Sequence, residues 1–459
     1  MVTLKLMTSA SSRRAQAAER NVRLDPQGIY GTRSARRQNQ LRRRRQLQNL
    51  VLWLVGAVAL GLLIWWLFQP RQSARNASWT RQLPFRPATP PFRARGNSLF
   101  FTSQSGGLWR WNPTASPASD WTSAAPRRFF STAFAPAAPP LVRENELFWP
   151  GGDGILRALD ARSGVQKWRG VLSSALVCTP AVVQSAGREI VAAGDDAGQV
   201  AAFDALTGAP LWKTDLGGAP GAALGVALGV ASPQLSTKNE AGPSFLVPLL
   251  AGAASRGGLV CLDARSGRVK WSFPNDARSQ SAGVAAPLTL GNRVFWCNDE
   301  GAAVCLDARS GRKIWKSFAA PQGANLQSQK SPNEESAESN ASALVSLRGG
   351  AALIEAAGVV AFGGNDGFLR GFDIASGALR WKQNLGGAVR FPAQTLRFEN
   401  QNVFLAAGDA PAIFLLDALT GRVVRRWKTP YAISYGLSVA NESIYALDEE
   451  GHLQVAALK

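Results

Sequence analysis

Acidic side chains recur just ahead of certain glycines in this sequence, and clustered carboxylates of this kind can ligate calcium. The six residues concerned are Asp153, Asp195, Asp196, Asp299, Glu300 and Asp366. They occupy corresponding positions in successive sequence repeats, so a turn-forming role explains them better than a shared ion does. We therefore predict turns between strands at these positions and no metal site.

Few other residues could carry catalysis. His452 is the one histidine, so no second imidazole is present to share a metal or a proton. The four cysteines, Cys178, Cys261, Cys297 and Cys305, form neither a CxxC pair nor a CxxCH sequence, which argues against a zinc site and a covalent haem. A disulfide between Cys297 and Cys305 across a hairpin stays open. We predict no catalytic residue, no cofactor and no enzymatic activity.

The net charge of +20, from 51 Lys and Arg against 31 Asp and Glu, raises the question of nucleic-acid binding. Much of the excess lies in residues 1–49, which carry 12 basic and two acidic side chains. The rest of the chain is only mildly basic, so the charge does not require a nucleic-acid partner. The tail has few apolar residues and is predicted to be a disordered basic cytoplasmic segment.

Residues 50–68 (LVLWLVGAVALGLLIWWLF) are 19 residues without a charge, enough helix to span most of a hydrocarbon core of about 30 Å. The preceding arginines, 42–45, favour retention of that side in the cytoplasm. This predicts a single-pass signal anchor in the lipid bilayer of the cytoplasmic (inner) membrane, with the chain after the linker 69–78 in the periplasm. A cleaved signal peptide is the alternative, but the apolar run is long and no convincing cleavage site follows.

An internal repeat is the strongest pattern in the chain. Asp, a Ser or Thr three residues on, then Gly and finally Trp occur together six times. The aspartates are Asp160, Asp204, Asp263, Asp307, Asp373 and Asp417, the glycines are Gly164, Gly208, Gly267, Gly311, Gly377 and Gly421, and the tryptophans are Trp168, Trp212, Trp271, Trp315, Trp381 and Trp427. Trp follows Asp by eight residues in five copies and by ten in the sixth. The Asp-to-Asp spacings of 44, 59, 44, 66 and 44 define a 44-residue unit with two inserts.

Two degraded units complete the set. Glycines at the matching offset, Gly106 and Gly451, mark them, and Trp121 follows the first. The last unit ends without its Trp-bearing strand, whereas the sequence around Trp79 resembles such a strand. Pairing this N-terminal strand with the last unit would close eight units into a ring and remove an unpaired strand edge.

The repeat chemistry is typical of strands joined by tight turns. Glycine adopts positive φ without strain, and an aspartate can accept hydrogen bonds from turn N–H groups. In QVAAFD at 199–204, alternate residues would point to opposite faces of a sheet. We therefore predict an all-β fold, an eight-bladed β-propeller over residues 79–459, preceded by one transmembrane helix.

The pattern of a small residue, x, Asp, x, x, Ser or Thr, Gly, x, x, x and Trp resembles the docking motif of the pyrroloquinoline-quinone (PQQ)-like β-propeller family. The resemblance extends from Trp79 to Lys459. It implies that each indole stacks on the motif of a neighbouring blade, so that Trp79, Trp121 and the six motif tryptophans are structural blade-docking residues. It also implies that Cys261 and Cys305, at the small position, are buried.

The family has two branches with different functions. The quinoprotein dehydrogenases bind PQQ and calcium beside a vicinal disulfide, which this sequence lacks; the chain is more similar to the non-catalytic, BamB-like branch. That resemblance implies a membrane-anchored extracytoplasmic scaffold that binds a protein partner through its propeller loops, in outer-membrane or envelope protein assembly. The alternative is a PQQ-dependent quinoprotein dehydrogenase. Two polar inserts, 232–243 and 319–342, are expected on opposite ring faces, either as partner contacts or as tolerated surface insertions.

Overall fold

A computed structural model of the chain describes most of the residues beyond the predicted anchor. The described residues are 79–93, 98–112, 126–217, 229–230, 242–251, 256–274, 285–319 and 345–458. The predicted tail (1–49), transmembrane helix (50–68) and linker (69–78) lie outside them. In the part of the chain that is described, no helix combines the length and apolar character needed to cross a bilayer.

Eight sheets of four antiparallel strands make up the fold, and each is one blade. Blade 1 contains β2 (Phe92–Arg93), β3 (Leu99–Thr102), β4 (Gly107–Trp111) and β5 (Arg127–Ser131). Blade 2 contains β6 (Leu141–Arg143), β7 (Glu146–Pro150), β8 (Ile155–Asp160) and β9 (Gln166–Val171). Blade 3 contains β10 (Ala181–Ser185), β11 (Arg188–Gly194), β12 (Gln199–Asp204) and β13 (Pro210–Asp215). Blade 4 contains β14 (Gly229–Val230), β15 (Ser244–Ala251), β16 (Arg256–Asp263) and β17 (Val269–Pro274).

The second half of the ring repeats this arrangement. Blade 5 contains β18 (Leu288–Leu290), β19 (Arg293–Cys297), β20 (Ala302–Asp307) and β21 (Lys313–Phe318). Blade 6 contains β22 (Leu347–Ile354), β23 (Val359–Gly364), β24 (Phe368–Asp373) and β25 (Leu379–Asn384), with one 3-10 turn at Glu355–Ala357. Blade 7 contains β26 (Gln394–Phe398), β27 (Gln401–Ala407), β28 (Ala412–Asp417) and β29 (Val423–Lys428). Blade 8 contains β30 (Tyr435–Ala440), β31 (Ser443–Leu447), β32 (His452–Ala457) and β1 (Trp79–Gln82). The predicted eight-bladed propeller is confirmed.

The middle strands are buried on both sides because each blade packs between two others. In β12, Val200 and Ala202 join the apolar cluster shared with blade 4, whereas Ala201 and Phe203 join the cluster shared with blade 2. Alternate side chains of β12 therefore pack into two different blade interfaces, and neither side of the strand faces water. The core lies between the blades, in a series of such clusters around the ring.

The N-terminal strand closes the ring, as predicted. Strand β1 pairs antiparallel with β32, with Trp79 opposite Val455 and Gln82 opposite His452. Val455 stands at the small-residue position of its unit, so the register matches the pairing of Ala158 with Trp168 in blade 2. Since β1 is separated in sequence from its partner by almost the whole propeller, this pairing joins blade 8 to the start of blade 1.

Because strands alternate in direction, the turns of each blade fall on two faces. The motif face carries the Asp-to-Gly turns between third and fourth strands, at 160–164, 204–208, 263–267, 307–311, 373–377 and 417–421. The hairpin face carries the turns between second and third strands, at 151–154, 195–198, 298–301, 364–367, 408–411 and 448–451, and the connections between blades. Apart from Gly242, Pro243 and Ala319, the two predicted inserts lie outside the described residues. The strands that flank them, β14 and β15 for one and β21 and β22 for the other, do lead to opposite faces.

All four cysteines are buried and free. In the sheet, Cys305 lies opposite Phe295 and Trp315, and Cys297 lies opposite Ala303. The disulfide between Cys297 and Cys305 is therefore not formed, because the two thiols belong to different cross-strand pairs. Cys261 and Cys305 occupy the small buried position that the family resemblance implied.

Candidate functional site

The Asp-to-Gly turns are closed by their own side chains. Oδ1 of Asp160 accepts hydrogen bonds from the backbone N–H of Arg162 (3.0 Å) and from the N–H and Oγ of Ser163 (2.8 and 2.9 Å). The same carboxylate oxygen accepts the bonds from the Ser or Thr at Asp204, Asp263, Asp307, Asp373 and Asp417. The aspartates therefore serve the turn rather than a ligand.

These hydrogen bonds favour the ionised carboxylate and lower its pKa. The N–H and hydroxyl of Ser376, together with the Arg380 guanidinium, lower the pKa of Asp373 to about 2. The corresponding bonds from Ser163 lower the pKa of Asp160, and those from Thr207 lower that of Asp204. The Asp373 turn therefore keeps its charge and its hydrogen bonds well into the acidic range.

The motif glycine has a double constraint. Gly208 has φ of +73°, and a Cβ added there would lie 2.6 Å from Cγ and Cδ2 of Trp168 in the preceding blade. The indole thus lies directly against the turn backbone, and any side chain at that position would collide with it. Trp212, Trp271, Trp315 and Trp381 lie in the same way against Gly267, Gly311, Gly377 and Gly421.

Each of these indoles also makes one hydrogen bond across its interface. Nε1 donates to the carbonyl oxygen of the residue that follows the motif aspartate of the next blade. The pairs are Trp168 to Ala205 (2.8 Å), Trp212 to Ala264 (2.9 Å), Trp271 to Ala308 (3.0 Å), Trp315 to Ile374 (3.0 Å) and Trp381 to Ala418 (3.0 Å). Five consecutive interfaces, from blades 2/3 to blades 6/7, therefore share one docking geometry.

The interface of blades 7 and 8 departs from that geometry. The position eight residues after Asp417 is Arg425, whose Nη1 donates to Leu458 O (3.0 Å), the equivalent acceptor. Trp427 is two residues further along, and its Nε1 donates to Ala457 O (3.1 Å). The Arg425 guanidinium lies 5.0 Å from the centre of the Trp427 ring. Sequence reasoning chose Trp427 alone and missed Arg425, although the spacing rule points to residue 425.

The interface of blades 1 and 2 also differs. Trp121 lies outside the described residues, and the fourth strand of blade 1, β5, begins six residues later at Arg127. Within β5, Phe129 takes the docking position, because a Cβ at Gly164 would lie 3.2 Å from its ring. At the closing interface of blades 8 and 1, Trp79 meets Trp111 edge-on, with ring centres 6.1 Å apart.

The carboxylates ahead of the repeat glycines bind arginines and turn amides. Asp153 accepts from Arg157 Nη1 (2.9 Å), and Asp366 accepts in the same way from Arg370, four residues later. Asp195 accepts from the N–H of Gln199 (2.8 Å). The described residues contain no group of three or more His, Cys, Asp or Glu able to hold a metal ion. The geometry thus places Asp153, Asp195 and Asp366 in contacts within their own hairpins, whereas Asp299 pairs with Arg348 and Glu300 lies 3.8 Å from Lys316.

His452 begins β32 on the hairpin face. Its Nδ1 lies 2.6 Å from Asp448 Oδ2, and its ring stacks on Tyr431 with centres 3.9 Å apart. Both partners fix the orientation of the imidazole within blade 8, so the histidine has a structural position.

A recess opens on the hairpin face between blades 6 and 7. It has a volume of about 300 Å³ and is lined by Arg348, Asn365, Ala388, Val389 and Arg390. Val389 N donates to Gly364 O (2.9 Å), which packs the connection between blades 6 and 7 against the turn of blade 6. The recess therefore combines one apolar wall with two guanidinium groups. We call these five residues the arginine recess.

Both arginines of the recess are oriented by carboxylates. Arg348 donates to both oxygens of Asp299 (2.9 and 3.1 Å), and that carboxylate is only 7% exposed. Arg390 makes a forked pair with Asp409 (3.0 Å from Nε and from Nη2), which raises the pKa of Arg390. The arginine side chains remain 45% and 58% exposed. Their free N–H groups can donate to carbonyl or carboxylate oxygens of a ligand.

A PQQ–calcium centre does not fit the described residues. Such a centre, as the family resemblance implies it, needs calcium ligands and a vicinal disulfide. The cysteines here are free and separately buried, and no cluster of acidic or histidine ligands is present among the described residues.

The eight blades, the Asp-to-Gly turns and the docked indoles define a PQQ-like β-propeller. The family model described as outer membrane protein assembly factor BamB matches residues 71–234 and 232–459, and the chain belongs to that family. No curated protein sequence matches the chain significantly.

Solved structures with the same fold have diverse functions. BamB from Moraxella catarrhalis is 15% identical, with a TM-score of 0.57 over 83% of this chain and 99% of that one. A europium-containing methanol dehydrogenase is 13% identical, with a TM-score of 0.57 over 82% and 85%. A quinohemoprotein alcohol dehydrogenase from Pseudomonas putida HK5 is 13% identical, with a TM-score of 0.58 over 84% and 77%. At such identities the similarity supports the fold alone.

Proposed function

We propose that this chain is a membrane-anchored, extracytoplasmic scaffold that binds a protein partner during outer-membrane or envelope protein assembly. The proposal has two supports. One is membership of the BamB family, whose description names outer membrane protein assembly. The other is the apolar segment 50–68 with its preceding arginines, which directs the propeller to the periplasm.

The arginine recess is the feature of the propeller that carries this proposal. A peptide segment offers backbone carbonyls and acidic side chains, which match the exposed guanidinium groups of Arg348 and Arg390. Ala388, the partly exposed apolar residue of the recess, would contact a small aliphatic side chain of the same segment. The rigid blade frame holds these groups in place before binding, which lowers the entropic cost of association.

In-cell photo-crosslinking tests the partner and the face together. A photo-crosslinking amino acid at Ala388 would lie in the recess, and the matched position Leu206 lies on the motif face. We expect position 388 to capture an envelope-assembly protein that position 206 does not capture. Equal capture at both positions would contradict the role of the recess.

A charge variant sharpens the result. Arg390→Ala removes an exposed guanidinium, and Arg143→Ala is its control, because Arg143 also forms a partly exposed ion pair, with Glu189 on the motif face. We expect the loss of crosslinking for Arg390→Ala alone, with both variants folded because surface pairs contribute about 0–1 kcal/mol. Saturable binding of PQQ with Ca²⁺ by the full chain would instead favour the dehydrogenase alternative.

A further inference from the structure

The N-terminal strand enters the propeller from the motif face. Fourth strands run from the motif face to the hairpin face, and in β1 the residue Trp79 is at the motif end, opposite Val455. Trp79, the first described residue, therefore enters blade 8 at this face. From the end of the apolar segment at Phe68, the ten residues 69–78 reach at most about 35 Å.

Exposed basic side chains concentrate on the same face, across the ring from blade 8. The turns of blades 4 and 5 read DARSGR, and they expose Arg265, Arg268, Arg309 and Arg312. None of these four forms an ion pair with a described residue. We call them the arginine rim.

Acidic groups do not cancel this charge locally. On the motif face of blades 4 and 5, the described acids are Asp263 and Asp307. Asp263 is paired with Lys270 (3.3 Å), and both carboxylates accept the hydrogen bonds of their own turns. Elsewhere on this face, Glu146, Glu189, Asp204 and Asp373 pair with basic side chains, and Asp160 and Asp417 accept the hydrogen bonds of their own turns. The remaining acids lie in the turns between first and second strands: Glu144, Glu355, Glu399 and Glu442.

Exposed apolar side chains gather there too. Among the described residues, eleven large apolar side chains are exposed. Three of them stand in motif turns (Val165, Leu206 and Leu419), and five begin fourth strands next to those turns (Val269, Ile314, Leu379, Val423 and Val424). The other three, Phe134, Val171 and Tyr431, lie toward the hairpin face. Leu206 is 73% exposed, a high value for a leucine in a rigid turn.

We propose that the motif face lies against an anionic phospholipid surface, with the arginine rim on the headgroups and the turn aliphatics at the interface. This inference rests on the membrane anchor of the proposed function. Arginines attract anionic headgroups within a Debye length, and aliphatic tips favour the interfacial layer. The anchor would attach blade 8, and the arginine rim would hold blades 4 and 5 at the opposite side of the ring. The arginine recess on the hairpin face would then point away from the bilayer, toward a partner.

A face-specific probe of the full chain tests this orientation. Leu206→Cys on the motif face and Phe134→Cys on the hairpin face each introduce one accessible thiol, because the native cysteines are buried. Each variant is labelled with an environment-sensitive fluorophore and reconstituted into vesicles of phosphatidylcholine with phosphatidylglycerol. Spin-labelled phospholipid in those vesicles quenches a fluorophore near the headgroups. We expect strong quenching and a blue shift at position 206 and neither at position 134.

A second variant isolates the charge. Combining Arg265→Glu, Arg268→Glu, Arg309→Glu and Arg312→Glu with Leu206→Cys should abolish the quenching, as should high salt or vesicles of phosphatidylcholine alone. Equal quenching at the two faces, or stronger quenching at position 134, would overturn the inference.

Vesicle flotation separates this failure from that of the proposed function. If the chain floats with vesicles but shows no face preference, the anchor stands and only the orientation is wrong. If it does not float, both the anchor and the orientation are overturned.

Discussion

Five interfaces of the ring, from blades 2/3 to blades 6/7, differ from the three around blades 8 and 1. In the five, an indole lies on a motif glycine and donates to a fixed carbonyl. Where blade 7 meets blade 8, Arg425 and Trp427 share that task. Blade 8 has no turn between its third and fourth strands, because β1 comes from the other end of the propeller. A tryptophan at 425 would therefore have no glycine to stack on.

The regular interfaces and the interface of blades 7 and 8 share a hydrogen bond between blades, although different side chains donate it. Across the regular interfaces and at blades 7/8, a side chain of the fourth strand donates to a backbone carbonyl of the neighbouring blade. The identity of that donor changes, from an indole to a guanidinium. Docking at these interfaces thus depends on the backbone carbonyl acceptor and on the packing of a side chain beside it.

The largest effect is expected at a regular interface. Trp381→Ala removes a 7% exposed indole and leaves a cavity over Gly421, which should cost about 3–5 kcal/mol of unfolding free energy. Trp381→Phe keeps most of the packing but loses the bond to Ala418 O, so it should cost less. Chemical denaturation measures both, and equal losses would mean that the hydrogen bond dominates.

The glycine contact is the next test. Gly208→Ala forces a methyl group against Trp168, and overpacking of this kind should cost about 1–3 kcal/mol beyond the strain of positive φ. Gly217→Ala is the control, since Gly217 also has positive φ, +85°, but a Cβ there would meet no atom of the described residues within 4 Å. The difference between the melting temperatures of the two variants reports the indole contact, and no difference would refute it.

The irregular interface should respond more weakly. Arg425→Gln removes the bond to Leu458 O and the contact with the Trp427 ring, together about 1–2 kcal/mol. Arg422→Gln, at an exposed position three residues earlier, should change stability by less than about 0.5 kcal/mol. If the two variants unfold at the same denaturant concentration, Arg425 has no docking role.

The smallest effect is expected in the dependence of stability on acidic pH. The pKa of Asp373 is lowered to about 2 in the folded chain, so its charged form contributes stability above its ordinary pKa of 3.8, and this is lost as pH falls toward 2. Asp373→Asn should therefore be less stable than the parent near neutral pH, with the difference shrinking between pH 4 and 2. Thermal unfolding across this pH window measures the difference, and a constant gap would contradict the assignment.

The sequence predicted the regular part of the ring well because the eight-residue spacing from Asp to Trp encodes a local hairpin. The same spacing identifies Arg425, but the prediction followed the residue type and therefore selected Trp427. Phe129 could not be found in this way, because a long segment separates it from Asn112, the aspartate position of blade 1. The arginine recess was also unpredictable, since Arg348, Asn365 and Arg390 come from three separate segments that only the fold brings together.

The closure of the ring by β1 is the central claim, and a designed disulfide tests it most directly. Gln82 and His452 are directly opposite in the β1–β32 pairing, so Gln82→Cys with His452→Cys should oxidise readily to a crosslink. Gln82→Cys with Gln401→Cys in blade 7 should not. A crosslink in the first pair alone, found by non-reducing peptide mapping, is the predicted result; no crosslink in the first pair would contradict the closed ring.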